Sequence, residues 1–74
     1  MKANFYMSNR KLELLKQAID EMNEGAFSIS IDNVHEDFVY PESCWVSLTY
    51  RSVDDLFYLG CFLGRIEAST YFVK

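Results

Sequence analysis

The sequence predicts an α+β fold, because segments with the period of a strand alternate with segments that have the period of a helix. Apolar residues recur at every second position in FSISID (27–32) and CWVSLTYRS (44–52), as in half-buried strands. They recur at every third or fourth position in RKLELLKQAIDEMN (10–23), as in a helix with one apolar face. Since the chain has 74 residues and half are hydrophobic, we expect a single packed domain, 1–74.

The first half predicts a strand, a helix and a second strand. ANFYM (3–7) is a short strand that turns Phe5 and Tyr6 to opposite faces. Ser8 or Asn9 caps the helix that follows, and Gly25 ends it. The apolar stripe of this helix consists of Leu12, Leu15, Ala18, Ile19 and Met22. The inward residues of the second strand are Phe27, Ile29 and Ile31.

The second half predicts a third strand, a second helix and a final strand. In the third strand the predicted inner set is Cys44, Val46, Leu48 and Tyr50, and the outer set is Trp45, Ser47, Thr49 and Arg51. Ser52 and Asp55 have the spacing of a capping box, so they should open a helix that continues through the apolar run ending at Ile66. STYFVK (69–74) then resembles an edge strand.

The order of these elements is βαββαβ, which is the split βαβ or ferredoxin-like arrangement. It is a two-layer sandwich with both helices on one face of a four-stranded sheet. The alternative is an αβββα fold with a three-stranded antiparallel sheet. In that alternative the terminal strands are absent and Phe38–Tyr40 forms the third strand.

Charge is distributed unevenly along the chain. The net charge is −4, yet residues 18–55 hold nine acids against a single base, Arg51. Nucleic-acid affinity depends on clustered Lys and Arg, so an acidic middle argues against a nucleic-acid partner. The first helix also carries bases in its first turn and acids in its last turn, the reverse of what the helix dipole favours. These acids either lie on an exposed surface, where water solvates them, or bind a partner.

The second helix is apolar around most of its circumference. Its apolar run of about 11 residues is too short for a bilayer, which needs about 20, so we expect no membrane span. Gly60 and Gly64 predict close packing against the sheet or the other helix. One helix on a small sheet cannot bury every apolar side chain, so we expect a homo-oligomer. The predicted self-association residues are Leu59, Phe62 and Ile66.

Signals for an enzyme are weak, and we predict no catalytic, cofactor or metal site. The chain lacks a phosphate-binding loop, a dinucleotide-binding glycine signature and a C-x-x-C motif. His35 and Cys44 could form a nucleophile pair, and with Asp37 and Glu42 they could hold a metal. A lone histidine beside acids is usually a solvated side chain, and this spacing matches no ligand pattern.

The most informative aromatic residues are Tyr6 and Trp45, which the predicted strands place on the face without helices. Such residues are enriched in protein interfaces, although the segment 33–43 could fold back and cover them. We therefore expect a small acidic, non-enzymatic, cytoplasmic regulator or inhibitor that binds a protein partner with a basic surface. Some proteins of this kind are encoded by phages or mobile elements. The alternative is a small-molecule-sensing domain with its ligand at a dimer seam. The predicted partner-binding residues are Tyr6, Asp20, Glu21, Glu24, Glu36, Asp37, Tyr40 and Trp45.

Overall fold

A computed structural model describes the backbone of residues 1–71 and the side chains of residues 1–69. It contains three strands and two helices in the order β-α-β-β-α. The elements are β1 (Lys2–Ser8), α1 (Asn9–Asn23), β2 (Ser30–Glu36), β3 (Ser43–Thr49) and α2 (Val53–Tyr71). The α+β class is therefore confirmed, and these are the first five of the six predicted elements, in the predicted order.

The three strands form one antiparallel sheet in the order β1-β3-β2, with β3 in the centre. β1 pairs with β3 along its whole length, from Lys2 opposite Thr49 to Ser8 opposite Ser43. β2 pairs with the other side of β3, with an irregularity between Ile31 and Asn33. The three-stranded antiparallel sheet of the alternative fold is thus present, but β1 supplies the third strand and Phe38–Tyr40 does not.

Helix α1 forms as its sequence predicts. The Ser8 side chain caps it by accepting a hydrogen bond from the Lys11 amide at 3.1 Å. All the predicted stripe residues are buried in the core: Leu12, Leu15, Ala18, Ile19 and Met22. The helix ends two residues before Gly25, and Glu24 at the C-cap keeps right-handed helical dihedrals. Gly25 therefore follows the end of the helix without the left-handed conformation that glycine usually supplies there.

Strand β3 supplies the centre of the core, and its predicted inner set is confirmed. Cys44, Val46, Leu48 and Tyr50 are all buried, whereas Trp45 lies on the opposite, exposed face. The stripe of α1 packs on this inner face together with Leu59 and Ile66 of α2.

Strand β2 begins later than its alternating pattern predicts, at Ser30 rather than Phe27. β3 ends at Thr49, which lies opposite Ser30, so residues 27–29 have no partner on it. The residue that binds this segment is Asn23 at the end of α1. Its side-chain amide donates to the Ile29 carbonyl at 2.8 Å, and its side-chain oxygen accepts from the Ile29 amide at 3.0 Å. These bonds tie the backbone of Ile29 to the helix end. The strand then continues through Asn33 and His35 to Glu36.

Helix α2 begins after Ser52, as predicted. One carboxylate oxygen of Asp55 accepts hydrogen bonds from the amides of Arg51 at 3.0 Å and Ser52 at 3.3 Å, which is the acidic half of a capping box. The strand predicted at 69–74 is wrong for Ser69–Tyr71, because α2 continues to Tyr71 without a glycine or proline to stop it. The remainder of that prediction, 72–74, lies outside the described residues.

The expectation of close packing at Gly60 and Gly64 is wrong. A Cβ atom built at either position would meet no described atom within 4 Å, so both glycines face open space.

None of the helices in residues 1–71 is both long and apolar enough to span a bilayer.

Candidate functional site

The helix-free face of the sheet carries a row of three ring side chains, one from each strand. Tyr6 lies opposite Trp45, and Trp45 lies opposite His35. The rings of Tyr6 and Trp45 are 4.8 Å apart between centroids and tilted by 54°. Tyr6 is 45% exposed and Trp45 is 50% exposed, so the predicted pair of outward aromatic residues on neighbouring strands is confirmed.

The rest of this face is held by hydrogen bonds between side chains of different strands. The Ser47 hydroxyl donates to the side-chain oxygen of Asn4 at 2.6 Å. The Thr49 hydroxyl donates to the Asp32 carboxylate. Because these polar groups are already paired, the exposed rings of Tyr6 and Trp45 are the part of the face with most to gain from burial by a partner.

Asp37 connects the aromatic row to the loop between β2 and β3. Its Oδ2 atom accepts a hydrogen bond from the Tyr6 hydroxyl at 2.6 Å. This hydrogen bond raises the pKa of Tyr6, because the phenol donates its proton to a carboxylate. The same bond lowers the pKa of Asp37, and the amide of Val39 lowers it further.

The loop at residues 37–42 is ordered by its own hydrogen bonds. Oδ1 of Asp37 accepts from the amides of Val39 at 2.9 Å and Tyr40 at 3.3 Å, which is an Asx turn. The Ser43 amide donates to the Tyr40 carbonyl at 2.9 Å. The side chain of Asn9, at the start of α1, donates to the Pro41 carbonyl at 2.9 Å. Asp37 therefore fixes both the aromatic row and the loop.

The loop holds apolar side chains in solvent. Phe38 is 97% exposed, and Val39 and Tyr40 beside it are also exposed. The alternative in which they fold back and cover Tyr6 and Trp45 is wrong, because the loop side chains and both of these rings are exposed. Tyr40 was a predicted site residue, but Phe38 and Val39 were not. The spacing of Asp37 before Pro41 is a turn signal that could have identified them.

The predicted acidic residues fall into two groups. Glu36 and Asp37 lie where β2 passes into the loop. Glu42, which was not a predicted partner-binding residue, lies at the other end of the loop beside the start of α1, because the Asn9 amide donates to the Glu42 carbonyl at 2.8 Å. The second group, Asp20, Glu21 and Glu24, lies at the other end of α1. A 15-residue helix is about 22 Å long, so the structure does not bring these three together with Tyr6, Asp37, Tyr40 and Trp45. Glu21 also approaches Arg65 of α2, at 3.9 Å.

The predicted self-association stripe does not lie on the surface. Leu59 is 5% exposed and Ile66 is 8% exposed, and Phe62 is half-buried against the same core. The outward face of α2 carries Val53 and Phe57 instead. The assignment of a subunit interface to this stripe is therefore wrong, because the stripe is used within one chain. Homo-oligomer formation itself stays a prediction.

The candidate nucleophile pair is divided by the sheet. His35 lies opposite Trp45, so its side chain is on the open face, where its Nε2 is 2.7 Å from the side-chain nitrogen of Asn33. Cys44 is buried on the helix face. The two side chains point in opposite directions, and the arrangement that a cysteine–histidine mechanism needs is not formed.

Together, Tyr6, Trp45, Asp37 and the loop tip Phe38–Tyr40 form a continuous surface, which we call the aromatic–acidic surface. It has exposed rings, a fixed loop and a carboxylate between them, and these are features of a macromolecular contact.

In comparisons with family models, with curated proteins and with solved structures, no match to this chain was found.

Proposed function

We propose that this protein is a small acidic, non-enzymatic regulator or inhibitor that binds a protein partner through the aromatic–acidic surface. The observation that carries the proposal is Phe38, a large apolar side chain that is 97% exposed on an ordered loop. A loop that is already held by hydrogen bonds loses less conformational entropy on binding, so more of the free energy gained by burying its tip remains as affinity. Trp45 and Tyr6 supply a second, flatter contact area beside it.

The acids around the loop indicate the charge of the partner. Glu36 and Glu42 flank the loop tip, and both are exposed. A partner with a basic rim around an apolar pocket would match both features of the surface, the apolar tip and its acidic surround. Such a pair associates faster at low salt, because the Debye length is about 30 Å at 0.01 M and about 3 Å at 1 M.

We further propose a cytoplasmic location, which is supported by the free thiols of Cys44 and Cys61.

Affinity capture from lysate of the source cells tests this function. The wild-type protein and three variants are used as bait: Phe38→Ser, Trp45→Ala and Phe57→Ser. Phe57 is the control, because it is also a well-exposed apolar side chain but lies on α2, away from the sheet face. We expect a partner that the wild type and Phe57→Ser retain and that Phe38→Ser and Trp45→Ala lose. If the four baits capture the same proteins, the aromatic–acidic surface is not the binding site.

Association kinetics with the captured partner then test the charges. Glu36→Gln with Glu42→Gln should slow association at low salt, whereas Asp20→Asn with Glu24→Gln removes the same charge from the other end of α1. The paired design separates local steering from the effect of net charge. Trp45→Ala should mainly raise the dissociation rate. Equal association rates for both double variants would assign the effect to net charge alone.

The second candidate function, small-molecule sensing, is favoured by an apolar groove of about 360 Å³ between β1 and α2. This volume is large enough for a ligand. However, Lys11 is the only charged residue among the described residues that line it, and the Lys11 ammonium lies 3.3 Å from Glu67. A ligand site needs polar groups that converge on the ligand, so the groove supports this function less well than the aromatic–acidic surface supports the first.

A further inference from the structure

Within residues 1–71 no strand pairs with the outer edge of β1, so this edge presents unpaired backbone groups. Met1 and Tyr50 exchange both backbone hydrogen bonds, with the Met1 ammonium donating at 2.8 Å and the Tyr50 amide donating at 2.9 Å. Met1 and Tyr50 are therefore a hydrogen-bonded pair. Because hydrogen-bonded and non-hydrogen-bonded pairs alternate in an antiparallel ladder, the other odd-numbered residues of β1 also form their backbone hydrogen bonds with β3. The amides of the even-numbered residues Lys2, Asn4, Tyr6 and Ser8 then face outward, as do the carbonyls of Lys2, Asn4 and Tyr6. The carbonyl of Ser8, the N-cap of α1, accepts the first hydrogen bond of the helix instead.

The two edges of the sheet differ in their protection against pairing with another chain. β2 carries an irregularity between Ile31 and Asn33, and its side chains include Asp32 and Glu36. Bulges and charges of this kind block strand addition. β1 pairs with β3 in unbroken register, contains no proline, and has a single charge, at its first residue, Lys2. Of the two sheet edges that the described residues form, β1 is therefore the one open to another strand.

The apolar groove lies along this same edge. Phe5 and Met7 line it from β1, and Leu56, Gly60 and Leu63 line it from α2. A strand added to β1 would place alternate side chains over this groove. The added strand therefore needs apolar residues at alternate positions on one face and polar residues on the other.

The sequence of β1 itself meets this requirement, and we propose that β1 pairs with β1 of a second copy of this chain, with the two Phe5 residues opposite each other. In this register Ala3 faces Met7 of the second copy on the groove side, and Asn4 faces Tyr6 on the open side. Lys2 faces Ser8, so no like charges meet. The outward groups of both strands form about six hydrogen bonds, because the even-numbered residues fall in bonded pairs and only the Ser8 carbonyls are used elsewhere.

The pairing joins two sheets into one of six strands. Antiparallel neighbours in a sheet are related by a two-fold axis perpendicular to it, so both open faces lie on the same side. Both rows of Tyr6 and Trp45 then lie on one surface, close to the axis. The pairing uses the backbone of β1 and the groove beside it, whereas the function proposed above depends on the loop tip at Phe38, so the two proposals are tested separately.

The first test compares Asn4→Pro with Asn4→Ala by sedimentation velocity over a wide range of concentrations. Both variants lose the side-chain hydrogen bond with Ser47, but only Asn4→Pro loses the outward amide. We expect the wild type and Asn4→Ala to dimerise, and Asn4→Pro to dimerise at least tenfold more weakly. A wild-type protein that stays monomeric, or an Asn4→Pro dimer as stable as that of Asn4→Ala, overturns the proposal.

The second test fixes the register and does not depend on Asn4→Pro folding. Phe5→Cys is prepared in a Cys61→Ser background and oxidised under mild conditions. The paired residues at a non-hydrogen-bonded position have Cα atoms about 4.5 Å apart, which lies within the range of a disulfide. We expect cross-linked dimers from Phe5→Cys and few from the control Tyr6→Cys, whose side chain faces Asn4 of the second copy. Equal cross-linking of the two variants, or none, overturns the register.

Discussion

Replacing Gly64 with alanine should stabilise the protein. Gly64 lies inside α2, seven residues before the end of the helix at Tyr71. Glycine in a helix interior is less favourable than alanine by about 1 kcal/mol, because it loses more backbone entropy on folding. An added Cβ would meet no described atom within 4 Å, and the residue does not have a positive φ. Neither a clash nor backbone strain therefore offsets the gain.

The expected gain is measurable in a chain of this size. A change of 1 kcal/mol shifts the melting temperature of a 60–100-residue domain by about 4–8 °C. Thermal and urea unfolding of the wild type and Gly64→Ala, followed by circular dichroism, should show a higher midpoint with an unchanged slope. Gly64→Leu should also stabilise, because leucine is a good helix former and the space is open.

The matched control is Ala68→Gly, an exposed position one turn later in the same helix. It should lower the midpoint, and by less, because it is nearer the helix end. A Gly64→Ala protein no more stable than the wild type would show that something packs against Gly64 in solution. In that case Gly64→Leu should cost about 1–3 kcal/mol through overpacking. Repeating the unfolding at several protein concentrations would show whether a second copy is responsible.

Three further predictions concern the aromatic–acidic surface, the core and the start of α2. Asp37→Asn should lower the pKa of Tyr6 toward its ordinary value, as followed by NMR of the phenol ring, because the hydrogen bond to a carboxylate raises it. The pKa of Asp37 is lower in the folded state than in the unfolded state. Its contribution to stability is therefore present above the unfolded-state pKa and is lost as the pH falls through the folded-state pKa. The free energy of unfolding of Asp37→Asn should accordingly fall less on acidification than that of the wild type. Leu48→Ala should cost about 2–5 kcal/mol in urea unfolding, whereas Phe57→Ala, 69% exposed, should cost little. Asp55→Ala should cost about 1 kcal/mol by removing the acceptor at the start of α2, and Asp55→Asn should cost less.

The parts of the fold that sequence patterns predict well are those in which one physical effect dominates. The stripe from Leu12 to Met22 and the alternation from Cys44 to Tyr50 each have a single apolar face, and each is buried as predicted. The segment before β2 is held instead by Asn23, whose side chain binds the backbone of Ile29. Such a contact between segments leaves no periodic signal in the sequence.

The orientation of α2 could not be predicted for a related reason. The helix is apolar on most sides, so its pattern does not determine which face meets the core. Packing places Leu59 and Ile66 inward and leaves Phe57, Gly60 and Gly64 outward. For the candidate site, the alternation in β1 and β3 correctly placed Tyr6 and Trp45. The direction of the loop depends on the Asp37 turn, so the exposure of Phe38 was missed.

The reversed charges on α1 have an explanation in α2. Lys11, in the first turn of α1, lies 3.3 Å from Glu67, and Glu21, near its end, lies 3.9 Å from Arg65. Each exposed ion pair of this kind contributes about 0–1 kcal/mol to stability. A charge at the unfavourable end of a helix costs a similar amount, about 0.3–1 kcal/mol. The ion pairs between the helices thus offset the unfavourable interaction of these charges with the dipole of α1. The acids at the end of α1 are therefore weak evidence for a partner, because Glu21 already has a role within the chain. Among the described residues, Glu36 and Glu42 beside the loop at Phe38 form no ion pair with a lysine or arginine. They are therefore the acids whose neutralisation should change association with a partner.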